Sequence, residues 1–357
     1  IQTDDKKPRL LHRGKAIEDL IETMNFSQMS SFLIFGSQDY YRYQPQNLPE
    51  NIEKLMLLML KSMPHPSNFF AAFLQLLVLD QTELSEKEQA IYLLNIMPTY
   101  AAWTCRLLSG KKDLIQPHPE LSVAENFFYM YMGPAFKDFS PRIQKAFVGA
   151  LDAVLILHAD HEVNASTATV RHAASAGVGL VGSISAGCKV LFGTSHGGAA
   201  QQVIEMLRAI GYRENIPEIL EKAKDKKNKF RLMGFGHHIY KGVDPRVRFL
   251  KQRLIELVAL LKEEKYSFPE DFETLLDTAL ELENMAAKDP YFKSHGLYPN
   301  VDFYAGLFYQ LLGLPSQAST VMFVLARVSG WIAHWFEQVE SPTPIIQSRI
   351  GYKGPLS

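Results

Sequence analysis

Apolar residues recur along most of this chain with the spacing of one face of an α-helix. The clearest example starts at Leu250, after which apolar residues return every three or four positions as far as Leu261. Residues 53–60, 86–96 and 272–285 show the same period. No window alternates between apolar and polar residues for long enough to favour a sheet. The pattern therefore predicts an all-α protein.

Two long segments carry almost no charge. Lys189 is the only charged residue between positions 173 and 204, and Arg327 is the only one between positions 303 and 336. The first segment is also dense in glycine, which lets helices pack closely and lets the backbone approach a ligand. We predict that both segments form core helices that also line a site.

The composition argues against several classes of protein. A chain of 357 residues is long enough for one large domain or two packed domains, and its net charge of −1 lacks the basic excess of a nucleic-acid-binding protein. Cys105 and Cys188 are too few for a disulfide framework or a Cys-rich metal site. The longest apolar stretch, 321–336, is too short to span a membrane. We expect no nucleic-acid or membrane partner. We expect a cytoplasmic location, or an organelle matrix if a targeting peptide has been removed.

The first cluster of chemically active side chains lies in residues 157–162, LHADHE. If the helix continues, Val154, His158 and His161 share one face. The order of residues is not the His-Glu-x-x-His of a zinc protease. Three interpretations stay open: a metal site at His158 and Glu162, which are spaced i, i+4, a helix end with buried, hydrogen-bonded histidines, and an anion site at His161.

The second cluster is a glycine-rich turn at 193–199 that precedes a predicted helix at 201–210. His196 in this turn is either a hydrogen-bonded structural histidine or a group that stabilises an enolate in a cleft. Ser195 beside it lacks the Gly-x-Ser-x-Gly context of a hydrolase nucleophile, which argues against a serine hydrolase.

The third cluster, 234–246, combines a Gly-x-Gly loop with His237 and Arg246. A basic run at 222–231 precedes it. Such a run is usually a solvated face, but a basic segment that leads into a glycine loop also suits a phosphorylated ligand. His237 would offer an imidazole and Arg246 a fork for a carboxylate.

Two further residues stand at the edge or in the middle of apolar helices. Asp302 either caps the helix that follows it or acts as a general base against apolar neighbours. Arg327, surrounded by apolar and small residues, needs an anionic partner, because an unpaired buried charge is very costly. That partner is either an internal carboxylate or a bound one.

Taken together and in this order, the motifs resemble those of the citrate synthase family. They run along nearly the whole chain and are, in order, 157–162 (LHADHE), 164–167 (NAST), 195–199 (SHGGA), 233–237 (MGFGH), 244–246 (DPR), 298–304 (YPNVDFY) and 330–335 (GWIAHW). The resemblance implies an almost wholly helical homodimer in which a large and a small domain close over the substrates. We expect the large domain to comprise residues 1–200 and 310–357, and the small domain residues 201–309.

The resemblance also implies roles for individual residues. Asp302 corresponds to the base that deprotonates the acyl group of acetyl-CoA, His196 to the group that stabilises the enol, and His237 to the residue that polarises the oxaloacetate carbonyl. His161, Arg246 and Arg327 correspond to the clamp on the dicarboxylate. The coenzyme A thioester is a co-substrate, and neither a metal nor a permanent cofactor is implied. The groups expected at coenzyme A are Lys241 at a phosphate and Met233, Gly234, Phe235 and Gly236 at the adenine end.

The match fails at one important position. Near the C-terminus the family has Arg-Pro-Arg, and here Gln347 replaces the first Arg while Arg349 matches the second and is expected at the substrate carboxylate. A milder departure is His12, where many members have Tyr. A 2-methylcitrate synthase that uses propionyl-CoA, and a family member without turnover that only binds ligands, therefore remain as alternatives to a citrate synthase. A metal-dependent hydrolase built on His158, Asp160 and His161 is a third alternative.

Overall fold

The computed structural model describes residues 2–4, 7–48, 50–62, 83–193, 196–225, 227–228, 230–237, 239–240, 242–341 and 344–347. Within these residues the secondary structure is dominated by α-helices. The α-helices are, in chain order, α1 (Ile17–Thr23), α2 (Phe26–Phe35), α3 (Glu50–Ser62), α4 (Glu86–Leu108), α5 (Val123–Met132), α6 (Pro141–His158), α7 (Ala165–Ser175), α8 (Leu180–Leu191), α9 (Ala199–Ile210), α10 (Ile216–Lys224), α11 (Pro245–Glu263), α12 (Phe272–Lys288), α13 (Pro290–Ser294), α14 (Val301–Leu311) and α15 (Ser319–Glu340).

The β-strands among the described residues lie at the N-terminus, and an isolated antiparallel bridge joins Phe235 to Pro299. Strands β1 (Gln2–Asp4) and β2 (Lys7–Arg9) pair antiparallel, and so do β3 (Leu11–His12) and β4 (Lys15–Ala16). Short 3₁₀ segments join some of the helices: Gly133–Asp138, Arg213–Asn215 and Ser316–Ala318. The predicted all-α class is confirmed.

The helices predicted from periodicity are all present. The pattern that begins at Leu250 lies in α11, and the windows at 53–60, 86–96 and 272–285 lie in α3, α4 and α12. Helix α4 extends past the predicted window and contains Pro98. The predicted shared face of Val154, His158 and His161 is wrong, because α6 ends at His158 and His161 lies in the loop that follows.

Helix α15 lies at the centre of the core. It packs against α2, α4, α6, α7 and α8. Nearly every residue from 319 to 332 is buried, which explains the low charge of this segment. Two of the largest fully buried side chains, Trp331 and Trp335, come from α15, and Trp103 comes from α4. Among the described helices, none is long and apolar enough to cross a membrane.

A second group of helices packs beside this core. Helix α14 packs on α9, α11 and α12, and α11 also contacts α6 in the core group. These four helices lie within or across the expected small domain. The division at residues 200 and 310 stays a prediction.

Candidate active site

A cleft of about 910 Å³ lies where several helices begin. Its lining includes the first residues of α7, α9, α11 and α14, namely Ala165, Ala199, Arg246 and Val301. The first N–H groups of a helix lack partners within the helix, and the helix dipole is positive at that end. Four helix N-termini around one cleft therefore favour a negatively charged ligand.

Side-chain caps fix the start of three of these helices. Asn164 accepts from the backbone N–H groups at the start of α7, Asp244 does so at α11, and Asn300 does so at α14. Asn300 Oδ1 lies 3.0 Å from the Asp302 N–H. The interpretation of Asp302 as the helix cap is therefore wrong, and its carboxylate is left for another role.

Asp302 lies partly buried in the cleft wall, in the first turn of α14. Its surroundings are apolar apart from the charges of the site. Burial, together with the nearby Asp244 carboxylate, raises the pKa of Asp302 to about 6, although Arg246 and Arg327 oppose the rise. A carboxylate with this pKa is ionised at neutral pH and is more basic than a solvated aspartate, which are the properties of a general base.

His196 lines the same cleft and is held by a serine. Its Nε2 lies 3.0 Å from Ser166 Oγ, which in turn lies 2.7 Å from Asn164 Oδ1. Burial, reinforced by the Arg327 charge, lowers the pKa of His196 to about 4. The ring is therefore neutral at physiological pH.

The protonation state of His237 follows from its neighbours. Nδ1 accepts hydrogen bonds from the backbone N–H groups of Ile239 (3.1 Å) and Tyr240 (3.2 Å). An acceptor nitrogen carries no proton, so the ring is neutral and its proton is on Nε2. His237 lines the cleft, and its ring packs against the Tyr240 ring with the two centroids 4.5 Å apart. It is thus a hydrogen-bond donor through Nε2, which lies 3.9 Å from Asp244 Oδ2.

Arg246 is paired with a carboxylate of its own helix start. Its Nε and NH2 donate to the two oxygens of Asp244 at 3.0 and 2.7 Å, and both side chains are buried. Burial by itself raises the pKa of Asp244, but the Arg246 guanidinium more than offsets this and holds the pKa below its usual range. The pair is therefore charged, and it orients Arg246 at the cleft wall.

Arg327 has no such partner among the described residues. Its Nε donates to the His158 carbonyl at 2.7 Å, and no described carboxylate lies within 4.0 Å of the guanidinium. Burial lowers the pKa of Arg327 to about 10, which leaves it cationic at neutral pH. The internal ion pair that would have explained this residue is absent from the described part of the chain, so a bound carboxylate is the favoured explanation.

His161 lies in the loop between α6 and α7. Its Nε2 is 3.1 Å from the Tyr240 hydroxyl, and its ring lies 5.2 Å from that of His237. Burial, reinforced by Arg246 and Arg327, lowers the pKa of His161 far below its usual range, so it acts as a neutral hydrogen-bonding group. The next residue, Glu162, has a positive φ of 52°, and Val163 and Asn164 after it also line the cleft.

The residues of the metal alternative do not converge. His158 Nδ1 donates to the Val154 carbonyl at 2.7 Å, and its ring packs on Phe323. Asp160 faces His334, while His161 faces Tyr240. Among the described residues, no group of three or more His, Cys, Asp or Glu side chains is arranged to hold a metal ion.

The glycine loop at 233–236 lines the cleft beside α14. Gly236 N–H donates to the Tyr298 carbonyl, and Asn300 N–H donates to the Gly234 carbonyl, both at 2.8 Å. Gly234 has a φ of 76°, and a Cβ there would lie 2.7 Å from Val203 Cγ2. Two motifs that are 60 residues apart in sequence are thereby joined into one wall, to which Met233, Gly234, Phe235 and Gly236 all contribute.

Two of the predicted site residues, Lys241 and Arg349, lie outside the described residues. Gln347 is described and is exposed. It follows Ile346, whose N–H donates to Ser175 Oγ at the end of α7 at 3.1 Å. The other predicted residues, which are His161, His196, His237, Arg246, Asp302 and Arg327, all line one cleft.

Comparison with known proteins identifies the family. The model described as "Citrate synthase, C-terminal domain" matches residues 1–349. The chain belongs to the citrate synthase family. It is therefore an enzyme of the C-acyltransferase type.

Solved structures of citrate synthases have the same fold. The citrate synthase of Pyrobaculum aerophilum is 29% identical, with a TM-score of 0.80 over 97% of this chain and 86% of that one. The citrate synthase of Thermotoga maritima is 31% identical, with a TM-score of 0.77 over 98% and 90%. The Thermoplasma acidophilum citrate synthase, in a ternary complex with carboxymethyl coenzyme A and oxaloacetate, is 25% identical, with a TM-score of 0.79 over 96% of this chain and 90% of that one.

Several partners of the citrate synthase motifs were missed by the sequence reasoning. Asp244 pairs with Arg246, Tyr240 with His161, and Ser166 with His196. Asp244 had a local signal, since an Asp before Pro at a helix start is a typical cap. His12 is buried near Arg246, Arg327 and Asp160, and burial lowers its pKa to about 4. The sequence marked His12 only as a departure from the family pattern and assigned it no place at the site.

Proposed function

We propose that the cleft condenses acetyl-CoA with oxaloacetate and water to give citrate and free coenzyme A. The observation that carries the proposal is the convergence of Asp302, His196 and His237 on one cleft beside an Arg327 guanidinium without a described carboxylate partner. The ternary complex of the Thermoplasma citrate synthase, which holds an acetyl-CoA-like ligand and oxaloacetate, supports the same choice of substrates.

The first step removes a proton from the acetyl methyl group. A thioester α-carbon is a weak acid, so a base and a matched hydrogen-bond donor have to act together. The raised pKa of Asp302 suits it as the base that takes the proton. Neutral His196, which lines the same cleft, is suited to donate a hydrogen bond to the developing enolate oxygen. Each contributes on the order of 10²–10⁴-fold.

The second step forms the carbon–carbon bond. The nucleophilic enol carbon attacks the 2-oxo carbonyl of oxaloacetate, whose oxygen receives a proton as the new hydroxyl forms. His237 Nε2–H is the donor that this carbonyl requires. His161, Arg246 and Arg327 hold the two carboxylates, since an arginine fork matches a carboxylate in geometry and charge.

The last step hydrolyses the thioester of the condensed intermediate. Water adds to the thioester carbonyl, the carbon–sulfur bond breaks, and coenzyme A leaves as a thiol. We propose that closure of the small domain over the large one keeps water from the enolate until the new bond has formed. The coenzyme A chain would run along Met233, Gly234, Phe235 and Gly236, with Lys241 at a phosphate. We also propose that the enzyme is a homodimer.

The experiment that tests the proposal is release of free thiol from acetyl-CoA, measured with a thiol-reactive dye, with and without oxaloacetate. Cys105 and Cys188 are both buried, so the folded protein itself contributes little background. We expect release that depends on oxaloacetate and is lost in Asp302→Asn. Release that is independent of oxaloacetate would identify a thioesterase, and no release would refute turnover on these substrates.

A second arm replaces acetyl-CoA by propionyl-CoA. One extra methylene is worth about 1–3 kcal/mol in an apolar pocket, so the ratio of the two kcat/KM values decides between citrate and 2-methylcitrate synthesis. We expect acetyl-CoA to be preferred. A preference for propionyl-CoA would establish the 2-methylcitrate synthase instead. The Gln347→Arg variant is the matched test of whether the exposed Gln347 limits the reaction.

A further inference from the structure

One face of α15 carries three residues that meet the loop after α6. Arg327, Gly330 and His334 are spaced i, i+3 and i+7, so they share that face. Arg327 Nε donates to the carbonyl of His158, and His334 Nε2 lies 3.3 Å from Asp160 Oδ1. The loop is therefore attached to α15 at two polar points, one at each end of the contact.

Gly330 lies between those two points and lets the loop come close. A Cβ at this position would lie 2.4 Å from the Ala159 carbonyl oxygen and 2.8 Å from Asp160 Oδ1. Neither backbone nor a buried carboxylate can yield that much space. The close approach therefore brings Asp160 within reach of His334 and places His161, the next residue, in the cleft wall.

The tautomer of His334 follows from its other neighbour. Arg171 of α7 has its NH1 3.1 Å from His334 Nδ1, and the same NH1 donates to Glu337 at 3.1 Å. A guanidinium nitrogen can only donate, so Nδ1 is the acceptor and carries no proton. The His334 ring then carries a proton on Nε2, which lies 3.3 Å from Asp160 Oδ1. Helices α7 and α15 both take part in holding this one carboxylate.

Asp160 supplies a negative charge behind the anion site. Burial by itself raises its pKa, but the nearby His334 and the charge of Arg327 hold the pKa below the usual range. Its carboxylate is therefore ionised. The negative charge of Asp160 is also the strongest influence that favours the cationic form of Arg327, ahead of Asp302.

We propose that Asp160 and His334 are positioning residues for the 2-oxo acid: through their close polar contact they fix His161 and Arg327 relative to each other. The inference rests on the proposed function, because it concerns the same cleft. Neither side chain lines the cleft, so neither is expected to touch the substrate.

The test compares four variants of the full chain. Asp160→Asn removes the charge, and His334→Leu removes the donor. His334→Gln keeps an N–H donor near the position of Nε2. Ser329→Ala is the matched control, because it removes a different buried hydrogen bond of α15, to the Ala326 carbonyl at 2.9 Å.

We expect Asp160→Asn and His334→Leu to raise the KM for oxaloacetate about tenfold, the effect of losing one hydrogen bond to a charged group. The KM for acetyl-CoA should change less than threefold. His334→Gln should restore most of the oxaloacetate KM, and Ser329→Ala should leave it unchanged even if its Tm falls. The rise in Tm that oxaloacetate alone gives, in the absence of acetyl-CoA, should shrink in the same two variants.

Two results would overturn the inference. One is an unchanged oxaloacetate KM in Asp160→Asn and His334→Leu with a lowered Tm, which would make the pair merely structural. The other is an equal rise in both KM values that His334→Gln does not rescue. A wild-type protein that neither turns over nor gains Tm with oxaloacetate would refute the proposed function itself, which separates that failure from this one.

Discussion

Replacing Asp302 by Asn should inactivate the enzyme and make it more stable. The carboxyl has a pKa of 3.8 in the unfolded chain and about 6 in the folded protein. Because the folded pKa is raised, the ionised form destabilises the folded state, fully above pH 6 and hardly at all once the pH falls below the unfolded value. Asparagine has almost the same shape and no charge, so the variant removes the destabilisation that the buried charge causes.

The size of the effect follows from the two pKa values. At about 1.4 kcal/mol per pKa unit, their difference amounts to about 3 kcal/mol at pH 8. The same two values give about 0.5 kcal/mol at pH 4, where the group is largely protonated in the folded protein and half protonated in the unfolded chain. Since the cleft admits some solvent to Asp302, about 3 kcal/mol is an upper bound.

The assay is thermal unfolding of wild type and Asp302→Asn side by side from pH 4 to pH 8. We expect a Tm gain of several degrees at pH 8 that declines steadily toward pH 4, together with a loss of kcat of at least about 100-fold. Asp244→Asn is the matched control with the opposite sign, because Arg246 lowers the pKa of Asp244 and removal of that charge should destabilise the protein. A Tm gain that is absent at pH 8, or that does not depend on pH, would refute the reasoning.

Three further predictions concern the reaction. The kcat/KM of the wild type should fall as the pH decreases through about 6, because Asp302 has to be ionised to act as a base; a pH profile with no inflection between pH 5 and pH 7 would contradict its raised pKa. His196→Ala should lower kcat by about 10²–10³-fold with a much smaller change in the oxaloacetate KM, and a change confined to KM in steady-state kinetics would assign His196 to binding instead. Tyr240→Phe removes the hydroxyl 3.1 Å from His161 and should raise the oxaloacetate KM by about 3–10-fold, whereas an unchanged KM would show that His161 is held without it.

Local pattern was enough to predict most of the helical fold. The 3.6-residue period predicted α11 and α12, because the apolar face of an amphipathic helix appears in the sequence as a regular spacing of apolar residues. It failed where packing outweighs propensity. Helix α4 continues through Pro98 to Leu108, since nearly all of its second half is buried among apolar neighbours. Helix α6, in contrast, ends earlier than predicted: it stops at His158 although the residues that follow include no helix-breaking Gly or Pro.

The candidate site was predictable only in part. The order of motifs placed His196, His237, Arg246, Asp302 and Arg327 together, and the structure brings all of them to one cleft. The groups that orient them come from distant parts of the chain, which no local pattern reports.

Two long-range contacts show why. The His158 carbonyl that holds Arg327 lies 169 residues away in sequence, and the Tyr240 hydroxyl is 79 residues from His161. The N–H donors to His237 are local, but only the folded turn shows that they point at Nδ1. The tautomers and ionisation states of the site residues therefore follow only from the structure.

The most direct test of the central claim is the fate of a ¹³C label in the acetyl methyl group of acetyl-CoA, followed by NMR with oxaloacetate and the wild-type protein. The account predicts that the label moves into a methylene of citrate, and that no citrate signal appears in the Asp302→Asn reaction. Label recovered as acetate would mean that the cleft hydrolyses thioesters without forming a carbon–carbon bond, and would contradict the account.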